Sequence, residues 1–192
     1  MENEHGVGPT VVEAFMHATN LLVPSRRYVV FGYGSVGRGL AKCLRALGGF
    51  VSVVEPDPIR ALEAALDGMR VTDSDEALAS SEVFFTATGR PGVIADERIA
   101  QLPDGAILAN AGHFSWEIDI AELQRQAKTV EPLSQYIDLF TLGDGRRIAL
   151  LTGGEMLNLA GGGGNPIETM DLGLSLQAES LRYLVELHPQ VP

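Results

Sequence analysis

Three glycines at fixed spacing are the first residues in this sequence whose pattern suggests chemistry. Gly32, Gly34 and Gly37 form the pattern G-x-G-x-x-G within "YVVFGYGSVGRGL", between an apolar run and a helical pattern. Glycines at these positions allow a sharp turn, let the backbone approach a pyrophosphate, and bring helix and strand close together. The N-terminus of the following helix then offers unpaired N–H groups to the phosphates. The pattern predicts a dinucleotide site; a glycine-rich turn that binds no ligand is the alternative.

An acidic residue at the end of the next apolar run supports the same prediction. Glu55 closes "FVSVVE" 23 positions after Gly32, where a carboxylate accepts hydrogen bonds from the ribose hydroxyls of NAD. It would also repel the additional 2′-phosphate of NADP. Arg60 is an opposing signal, because its guanidinium could reach that phosphate or be solvated. We therefore predict NAD as the cofactor, with NADP as the less favoured alternative.

A histidine follows another apolar run, "AILANAG", at a position suited to proton transfer. Open α/β sheets bind ligands at the C-terminal ends of their strands, and His113 is predicted to lie there. Imidazole can hydrogen-bond to a hydroxyl or take its proton, because its pKa is near neutrality. An ordinary loop histidine is the alternative.

Two acidic residues follow the histidine closely, and paired carboxylates can indicate acid–base chemistry or a metal. Glu117 and Asp119 are instead predicted to cap the helix that begins near Ile118, since acidic residues favour helix N-termini. The sequence contains no His/Asp/Glu set with metal-ligand spacing. We therefore predict no metal site.

The order of apolar runs predicts the elements that position these residues. From residue 28 onward, short apolar runs alternate with helical patterns, which indicates βαβ units on a parallel sheet covered on both faces. A helix over "TVVEAFMHATNLL" precedes them. Near the C-terminus, "QYIDLFTL" and "RRIALLTGG" flank Gly143-Asp144-Gly145 and predict an antiparallel hairpin. After a glycine run, "PIETMDLGLSLQAESLRYLVELH" predicts a long closing helix that packs beside the sheet.

Length and composition favour a single domain. A chain of 192 residues, 45% of them hydrophobic, can bury one substantial core. The predicted fold class is α/β, a doubly wound parallel sheet of the Rossmann-like NAD-binding type with a C-terminal β-hairpin and a long terminal helix. Within residues 1–192 we expect a leading helix in 1–25, the Rossmann-like core in 26–134, and the hairpin, glycine-rich loop and closing helix in 135–192.

Charge and cysteine content narrow the classes of partner. The net charge of −11 disfavours nucleic acid and anionic membrane surfaces. No run approaches the roughly 18 apolar residues of a membrane span. Cys43 is the only cysteine, which excludes an internal disulfide and fits a reducing compartment. We expect a cytoplasmic protein.

Five collinear motifs resemble the NAD-binding domain of the adenosylhomocysteinases (S-adenosylhomocysteine hydrolases). "GYGSVGRG" is similar to the family's G-Y-G-D-V-G-K-G, and "VEPDPIRALEAALDGMRV" to E-x-D-P-x-x-A-L-x-A-x-x-x-G-x-x-V. "FFTATG", "NAGHFSWEID" and "LLTGGEMLNLAGGGGNP" resemble V-T-T-T-G, N-x-G-H-F-D-x-E-I-D and L-L-x-x-G-x-L-V-N-L-x-x-x-x-G-H-P. The resemblance runs in order from about Glu2 into the final helix.

The resemblance implies a role for each matching residue. The pyrophosphate would be lined by Gly34, Ser35, Val36, Gly37, Arg38 and Gly39. The adenosine ribose would be contacted by Glu55 and Arg60, and the cofactor flanked by Thr86, Ala87 and Thr88. The nicotinamide half would be surrounded by Ala111, Gly112, His113 and Asn158, with Asn3 beside the active site. In the family, NAD oxidises the 3′-hydroxyl of the substrate ribose, which permits elimination of homocysteine and addition of water before the hydride returns.

The sequence also departs from the family pattern. Glu2 and Asn165, on the substrate side, replace an aspartate and a histidine, and Arg60 replaces an asparagine. The family's substrate domain and C-terminal tail are not matched, so a substrate-domain partner or a homo-oligomer is expected to complete any active site. Three functions stay open: the cofactor domain of an adenosylhomocysteinase-like enzyme with a nucleoside-like substrate, an NAD oxidoreductase acting alone or with a partner on another hydroxylated molecule, and a non-catalytic NAD-binding or sensing module.

Overall fold

Strands and helices alternate along most of the chain. The structure, a computed structural model, describes residues 2–187; His188, the last residue of the predicted closing helix, lies outside them. The strands are β1 (Arg27–Phe31), β2 (Phe50–Val54), β3 (Arg70–Val71), β4 (Val83–Thr86), β5 (Ile107–Asn110), β6 (Ala127–Ser134), β7 (Ile137–Leu142) and β8 (Arg147–Leu151). The helices are α1 (Gly8–Thr19), α2 (Ser35–Ala46), α3 (Pro58–Leu66), α4 (Ser74–Ser80), α5 (Glu97–Gln101), α6 (Ile120–Gln126), α7 (Leu157–Ala160) and α8 (Ile167–Leu187). A π-helical turn, Asn3–Val7, precedes α1, and short 3₁₀ turns lie at Ser115–Glu117 and Thr152–Gly154.

The strands form one eight-stranded sheet in the order β3-β2-β1-β4-β5-β8-β7-β6. β1 to β5 pair in parallel, and β8 continues the parallel sheet beside β5. β7 and β6 add two antiparallel strands. The predicted doubly wound sheet and the β7–β8 hairpin are confirmed. The strand order reverses between β1 and β4, which is where sheets of this kind bind ligands, at the carboxyl ends of the strands.

Alternate residues of β1 show that helices cover both faces of the sheet. Tyr28 and Val30 point into one buried cluster with residues of α1 and α2, whereas Val29 and Phe31 point into a second with residues of α4 and α5. This alternation follows from the two-residue period of a strand. The buried strands thus hold the loops after β1, β4 and β5 side by side at one edge.

Strand β6 was not predicted. It pairs with β7 at the outer edge of the sheet, and nearly all of its residues are exposed. Its sequence, "AKTVEPLS", has two charged residues and Pro132 in place of the apolar pattern of a buried strand. Charges and proline on an edge strand oppose pairing with another chain. The charges and the proline that prevented prediction of this strand therefore suit its position at the sheet edge.

The prediction that the closing helix packs beside the sheet was wrong. α8 runs for 21 residues and buries none of them. Leu172, Leu176, Leu181 and Leu184 are each more than half exposed. The apolar side chains of α8 therefore find no covering surface in the part of the chain that the structure describes. Among residues 2–187, no helix combines the length and apolar character needed to cross a membrane.

Candidate functional site

The glycine turn after β1 is closed on its inner side and open on its outer side. Gly32 has a φ of 97°, and a Cβ there would lie 2.7 Å from the carbonyl oxygen of Ala87. A Cβ on Gly37 would lie 2.0 Å from the carbonyl oxygen of Gly32. Gly34 faces space instead, because the atom nearest to its Cβ would be Nη1 of Arg60 at 3.8 Å. A ligand can therefore approach the backbone closely at Gly34, whereas the Cβ positions of Gly32 and Gly37 are occupied by neighbouring backbone.

The N-terminus of α2 offers uncommitted N–H groups at this turn. Gly34 is the N-cap residue, and no side chain caps the helix. The hydrogen bond from Arg38 N to Gly34 O, 2.8 Å long, is the first of the helix. The preceding N–H groups, including those of Ser35 and Val36, have no intrahelical acceptor. With 12 residues behind it, this terminus attracts an anion through both its N–H groups and its dipole.

A groove of about 450 Å³ runs along the sheet edge from the glycine turn. Most of its lining was named from the sequence; it consists of Gly32, Gly34, Glu55, Pro56, Asp57, Arg60, Ala87, Thr88 and Arg90. A smaller cavity of about 180 Å³, lined by Ser35 and Arg38 among others, shares Gly34 and Arg60 with the groove. A third cavity of about 540 Å³ shares Glu55 and Thr88 with the groove and leads towards Asp73. Together these spaces form an extended cleft over the carboxyl ends of β1, β2 and β4.

The carboxylate of Glu55 is held in the groove by backbone donors. Its Oε2 accepts from Tyr33 N at 2.7 Å, and its Oε1 accepts from Asp57 N at 2.9 Å. Each carboxylate oxygen can accept a further bond, so Glu55 remains able to bind hydroxyl groups. Arg60 is exposed on α3 at the rim of the same groove. The structure therefore places the predicted ribose acceptor and its opposing cation on the lining of the same groove.

Not every predicted pyrophosphate residue turns a side chain to the groove. Val36 packs against the first core cluster. Gly39 is buried against the π-helical turn, where a Cβ would lie 2.1 Å from the carbonyl oxygen of Glu4. Arg38 donates from Nε to Oδ2 of Asp67 at 3.0 Å. These three residues attach α2 to its neighbours. Val36 and Gly39 can contact a ligand only through the helix backbone, whereas the side chain of Arg38 lines the small cavity.

The contacts of Arg38 belong to an ionic cluster between the π-helical turn, α2 and the end of α3. Lys42 Nζ lies 3.1 Å from Oε1 of Glu4 and 3.4 Å from Oδ2 of Asp67. The hydrogen bond from Lys42 is the main cause that lowers the pKa of Glu4. Burial alone would raise the pKa of Asp67, but the hydrogen bond from Tyr33 and the charges of Arg38 and Lys42 lower it. Both carboxylates are thereby kept ionised beside the cations.

The loop that carries His113 is fixed by Asn110, a residue that the sequence analysis did not single out. Thr86 Oγ1 donates to Asn110 Oδ1 at 3.0 Å, and the same oxygen accepts from Gly112 N at 2.8 Å. Asn110 Nδ2 donates to the carbonyl oxygens of Phe114 and Gly154. All four bonds belong to a side chain with no exposed surface. A polar residue inside the apolar run "AILANAG" was the available signal.

Glu117 does not cap a helix, contrary to the prediction. Its side chain is fully buried; Oε2 accepts from Thr88 N at 2.9 Å and Thr88 Oγ1 at 2.8 Å, and Oε1 accepts from Gly89 N at 2.8 Å. A Cβ on Gly112 would lie 1.8 Å from Oε1. Asp119 does cap α6, accepting from Glu122 N. Glu117 instead joins the loop after β4 to the loop after β5.

His113 lies exposed on the loop after β5. Its ring meets the ring of Phe114 edge-on at 4.7 Å between centroids, and Phe114 stacks on Trp116 at 4.1 Å. Phe114 and Trp116 are 42% and 53% exposed. The histidine therefore stands at the open edge of the sheet next to an aromatic surface, where a bound molecule can reach its imidazole.

Asn158 presents a buried oxygen that lacks a partner. It is 1% exposed, and its Nδ2 donates to Thr10 Oγ1 and Asn165 Oδ1, each at 3.3 Å. Its Oδ1 has no hydrogen-bond donor among the described residues. Buried polar atoms are almost always paired, so this oxygen fits a ligand N–H such as that of a carboxamide. The nicotinamide group of NAD carries such a donor.

The predicted substrate-side residues lie together beside Asn158. Asn165 Nδ2 donates to Oε1 of Glu2 at 2.7 Å, which ties the start of the described chain to the loop after α7. Asn3 is exposed on the π-helical turn next to Glu2. Within residues 2–187, no hydrogen bond joins Asn3 to His113. The two predicted catalytic residues thus come from separate elements.

Comparison with known proteins matches this chain to an NAD-binding domain and to part of longer relatives. Residues 3–164 match the family model described as S-adenosyl-L-homocysteine hydrolase, NAD binding domain. The adenosylhomocysteinase of Aeropyrum pernix is 45% identical over 177 residues, which are 92% of this chain and 42% of that protein. The S-inosyl-L-homocysteine hydrolase of Methanopyrus kandleri is 43% identical over 97% of this chain and 44% of that protein. The chain spans less than half the length of these relatives.

Solved structures with lower identity share the fold. A D-lactate dehydrogenase from Treponema pallidum has a TM-score of 0.56 and 20% identity, covering 65% of this chain and 44% of that one. A dipicolinate synthase from Bacillus subtilis has a TM-score of 0.56 and 17% identity, covering 62% of this chain and 42% of that one. These likenesses support the doubly wound architecture.

Proposed function

Because the chain belongs to the S-adenosyl-L-homocysteine hydrolase family and contains its NAD-binding domain, we propose that it holds NAD for the reversible oxidation of a hydroxyl group on a nucleoside-like substrate. The observation that carries this proposal is the groove at the N-terminus of α2, with the fixed carboxylate of Glu55 inside it. Bound NAD would supply the acceptor and later the donor of a hydride.

In this proposal the first half of the site binds the pyrophosphate and adenosine. The N–H groups of Ser35 and Val36 at the start of α2 bind phosphate oxygens, with Gly34 allowing close approach. Glu55 accepts hydrogen bonds from the ribose hydroxyls and repels a 2′-phosphate. Arg60 and Arg90 are the two cations in the groove lining. Glu55 is held in the groove by the N–H groups of Tyr33 and Asp57, and this fixed carboxylate supports the selection of NAD over NADP.

The second half binds the nicotinamide part and handles the proton. Asn158 Oδ1 accepts from the carboxamide, since this oxygen is buried and unpaired among the described residues. Ala111 and Gly112 provide the wall that Asn110 holds in place, and Thr86 to Thr88 flank the cofactor. His113 takes the proton of the substrate hydroxyl at its imidazole and returns it later. Asn3 lies beside the substrate.

The remaining parts of the active site come from outside this stretch. The relatives are more than twice as long as the matched region, and α8 exposes leucines along its length. We propose that a substrate-domain partner, or a further copy in a homo-oligomer, covers α8 and the side of the site near Glu2 and Asn165. The substrate would be a nucleoside thioether of the class named in these relatives. A cytoplasmic location is proposed with it, and the single, half-buried Cys43 is consistent with that location.

Calorimetric titration with NAD and with NADP tests the proposal. We expect micromolar binding of NAD and binding of NADP weaker by at least about tenfold, because two like charges about 4 Å apart repel by about 1 kcal/mol in water and about 4 kcal/mol near a protein surface, and about 1.4 kcal/mol is tenfold in affinity. Glu55→Gln should narrow this difference. Glu13→Gln, at an exposed position on α1, should leave it unchanged. No binding of NAD, or equal affinities for the two cofactors, would contradict the proposal.

A further inference from the structure

Three arginines converge on a cavity at the edge of the sheet opposite the cofactor groove. The groove lies beyond the last residues of β1 and β2, at Gly32 and Glu55. The opposite cavity, of about 480 Å³, is lined by Arg27, Phe50 and Arg70, the first residues of β1, β2 and β3. Since these strands are parallel, the two spaces lie at opposite ends of the same strands. We name the second space the arginine cavity; Arg45 at the end of α2 completes its cationic lining.

The guanidinium groups of the arginine cavity are anchored by contacts that use few of their donors. Arg27 Nε donates to the carbonyl oxygen of Ser80 at 2.8 Å, and Arg45 Nη1 donates to the carbonyl oxygen of Asp67. Arg70 pairs with Glu76. Each guanidinium carries five N–H donors in a planar fork, so donors remain at all three groups after these contacts.

A glycine makes room for one of these groups. Gly68 has a φ of 78°, and a Cβ there would lie 2.6 Å from Nη1 of Arg45. The guanidinium therefore rests against the bare backbone of Gly68. A side chain pinned in this way loses less conformational entropy when it binds a ligand.

The charge of the arginine cavity is opposite to that of the chain. The protein has a net charge of −11 with 14 lysines and arginines, yet three arginines line this one cavity and none of its lining residues is acidic. Glu82 pairs with Arg27 and Glu76 with Arg70 from outside the lining, so the cluster keeps a net positive charge through Arg45. Guanidinium groups bind phosphate oxygens through paired hydrogen bonds. A phosphate would therefore bind here through guanidinium donors that the two ion pairs leave free, at a net positive place on an acidic protein.

We propose that the arginine cavity binds a phosphate-bearing small molecule, separately from the cofactor groove. Ser80 and Ser81 also line the cavity; the hydroxyl of Ser80 donates to the carbonyl oxygen of Glu76 at 2.7 Å and can still accept. The ring of Phe50 is 65% exposed at its wall and offers a flat apolar surface beside the cations. A phosphate ester with a planar group therefore binds more tightly than a free phosphate.

Calorimetry on the full chain, first saturated with NAD, tests this site with inorganic pyrophosphate as the probe. Saturation prevents the probe from reporting the N-terminus of α2. We expect a dissociation constant below about 1 mM and a rise of at least about tenfold in an Arg45→Gln/Arg70→Gln variant, since charged hydrogen bonds are lost. Arg125→Gln, at an exposed position on α6, is the matched control and should bind as the unmodified chain does. Absence of binding, or an equal loss caused by Arg125→Gln, would overturn the proposal.

A second measurement does not depend on the variants or on NAD. Pyrophosphate should shift the side-chain Nε–H NMR signals of Arg45 and Arg70 in the unmodified chain while leaving that of Arg125 in place. No shift at either cavity arginine would refute the site.

Calorimetry with adenosine monophosphate on the NAD-saturated chain separates the two sources of phosphate. Tighter binding than inorganic phosphate that Phe50→Ala abolishes supports a nucleotide, and equal binding of the two supports a free phosphate in the same cavity.

Discussion

The two ends of the candidate cofactor site are built in different ways. At one end, Gly32, Gly34 and Glu55 come from one continuous stretch, and the backbone itself forms the wall. At the other end, Glu117 and Asn158 join loops that are distant in the chain through side-chain hydrogen bonds. The glycines of the first end require that side chains be absent, with Glu55 as the one side chain held there by backbone donors, whereas the second end depends on side-chain hydrogen bonds between loops. Substitutions should therefore damage the two ends in different ways.

The largest effect is expected from Gly37→Ala, at the backbone-built end. The added Cβ would lie 2.0 Å from the carbonyl oxygen of Gly32, so the turn must move. We expect the free energy of unfolding, measured by urea denaturation, to fall by about 3 kcal/mol, with loss of NAD binding. Gly34→Ala is the control, because its Cβ meets no atom nearer than 3.8 Å. It should keep stability within about 1 kcal/mol but weaken NAD binding; equal stability losses would contradict this account of the turn.

Glu117→Gln should have the next largest effect, at the end built from side chains. All three hydrogen bonds of Glu117 are accepted from donors, so the amide NH₂ of glutamine would face an N–H group. We expect a loss of about 2 kcal/mol of unfolding free energy. Asp119→Asn provides the comparison, because asparagine caps a helix as well as aspartate does, and its cost should stay below about 0.5 kcal/mol. Similar losses in the two variants would mean that Glu117 acts as a helix cap after all.

Asn158→Ala tests whether the second end contacts the cofactor. Oδ1 makes no hydrogen bond within residues 2–187, and the two hydrogen bonds of Nδ2 are long at 3.3 Å. We expect the affinity for NAD, measured by calorimetry, to fall about tenfold through the loss of one buried hydrogen bond. Thermal unfolding without NAD should change less than it does in Glu117→Gln. An unchanged NAD affinity would show that Asn158 serves only to bind Thr10 and Asn165.

The smallest effect is expected from pH, at the ionic cluster that flanks the backbone-built end. The pKa values of Glu4 and Asp67 are lowered in the folded chain. The cluster therefore stabilises the fold at pH values above the unfolded-state pKa of these carboxylates, which is near 4. This contribution is lost as the pH falls through their folded-state pKa values. With both groups about one-quarter exposed, we expect about 0.5 kcal/mol. Asp67→Asn should be less stable than the unmodified chain at pH 7, and the difference should shrink below about pH 4. A difference that is constant with pH would contradict an electrostatic role.

The same contrast explains how much could be predicted from the sequence. The glycine turn, Glu55 and the parallel strands were predictable because each is a local pattern, with residues adjacent in the chain and also in space. Glu117 was misassigned because its sequence neighbours resemble a helix start, while its hydrogen-bond donors lie 28 and 29 residues away. Strand β6 was missed because an exposed edge strand carries no apolar alternation.

The sequence by itself determined the sheet type, the place of the glycine turn and the carboxylate at the end of β2, since these follow from backbone geometry and short-range periodicity. Only the tertiary structure decided that Asn110 and Glu117 are buried between loops and that three arginines line one cavity at the start of β1 to β3. The same holds, within residues 2–187, for the unpaired oxygen of Asn158 and the exposed α8. Burial and the pairing of polar groups depend on which distant segments become neighbours. That information arises when the sheet forms, because parallel strands bring residues from separate parts of the chain to a common edge.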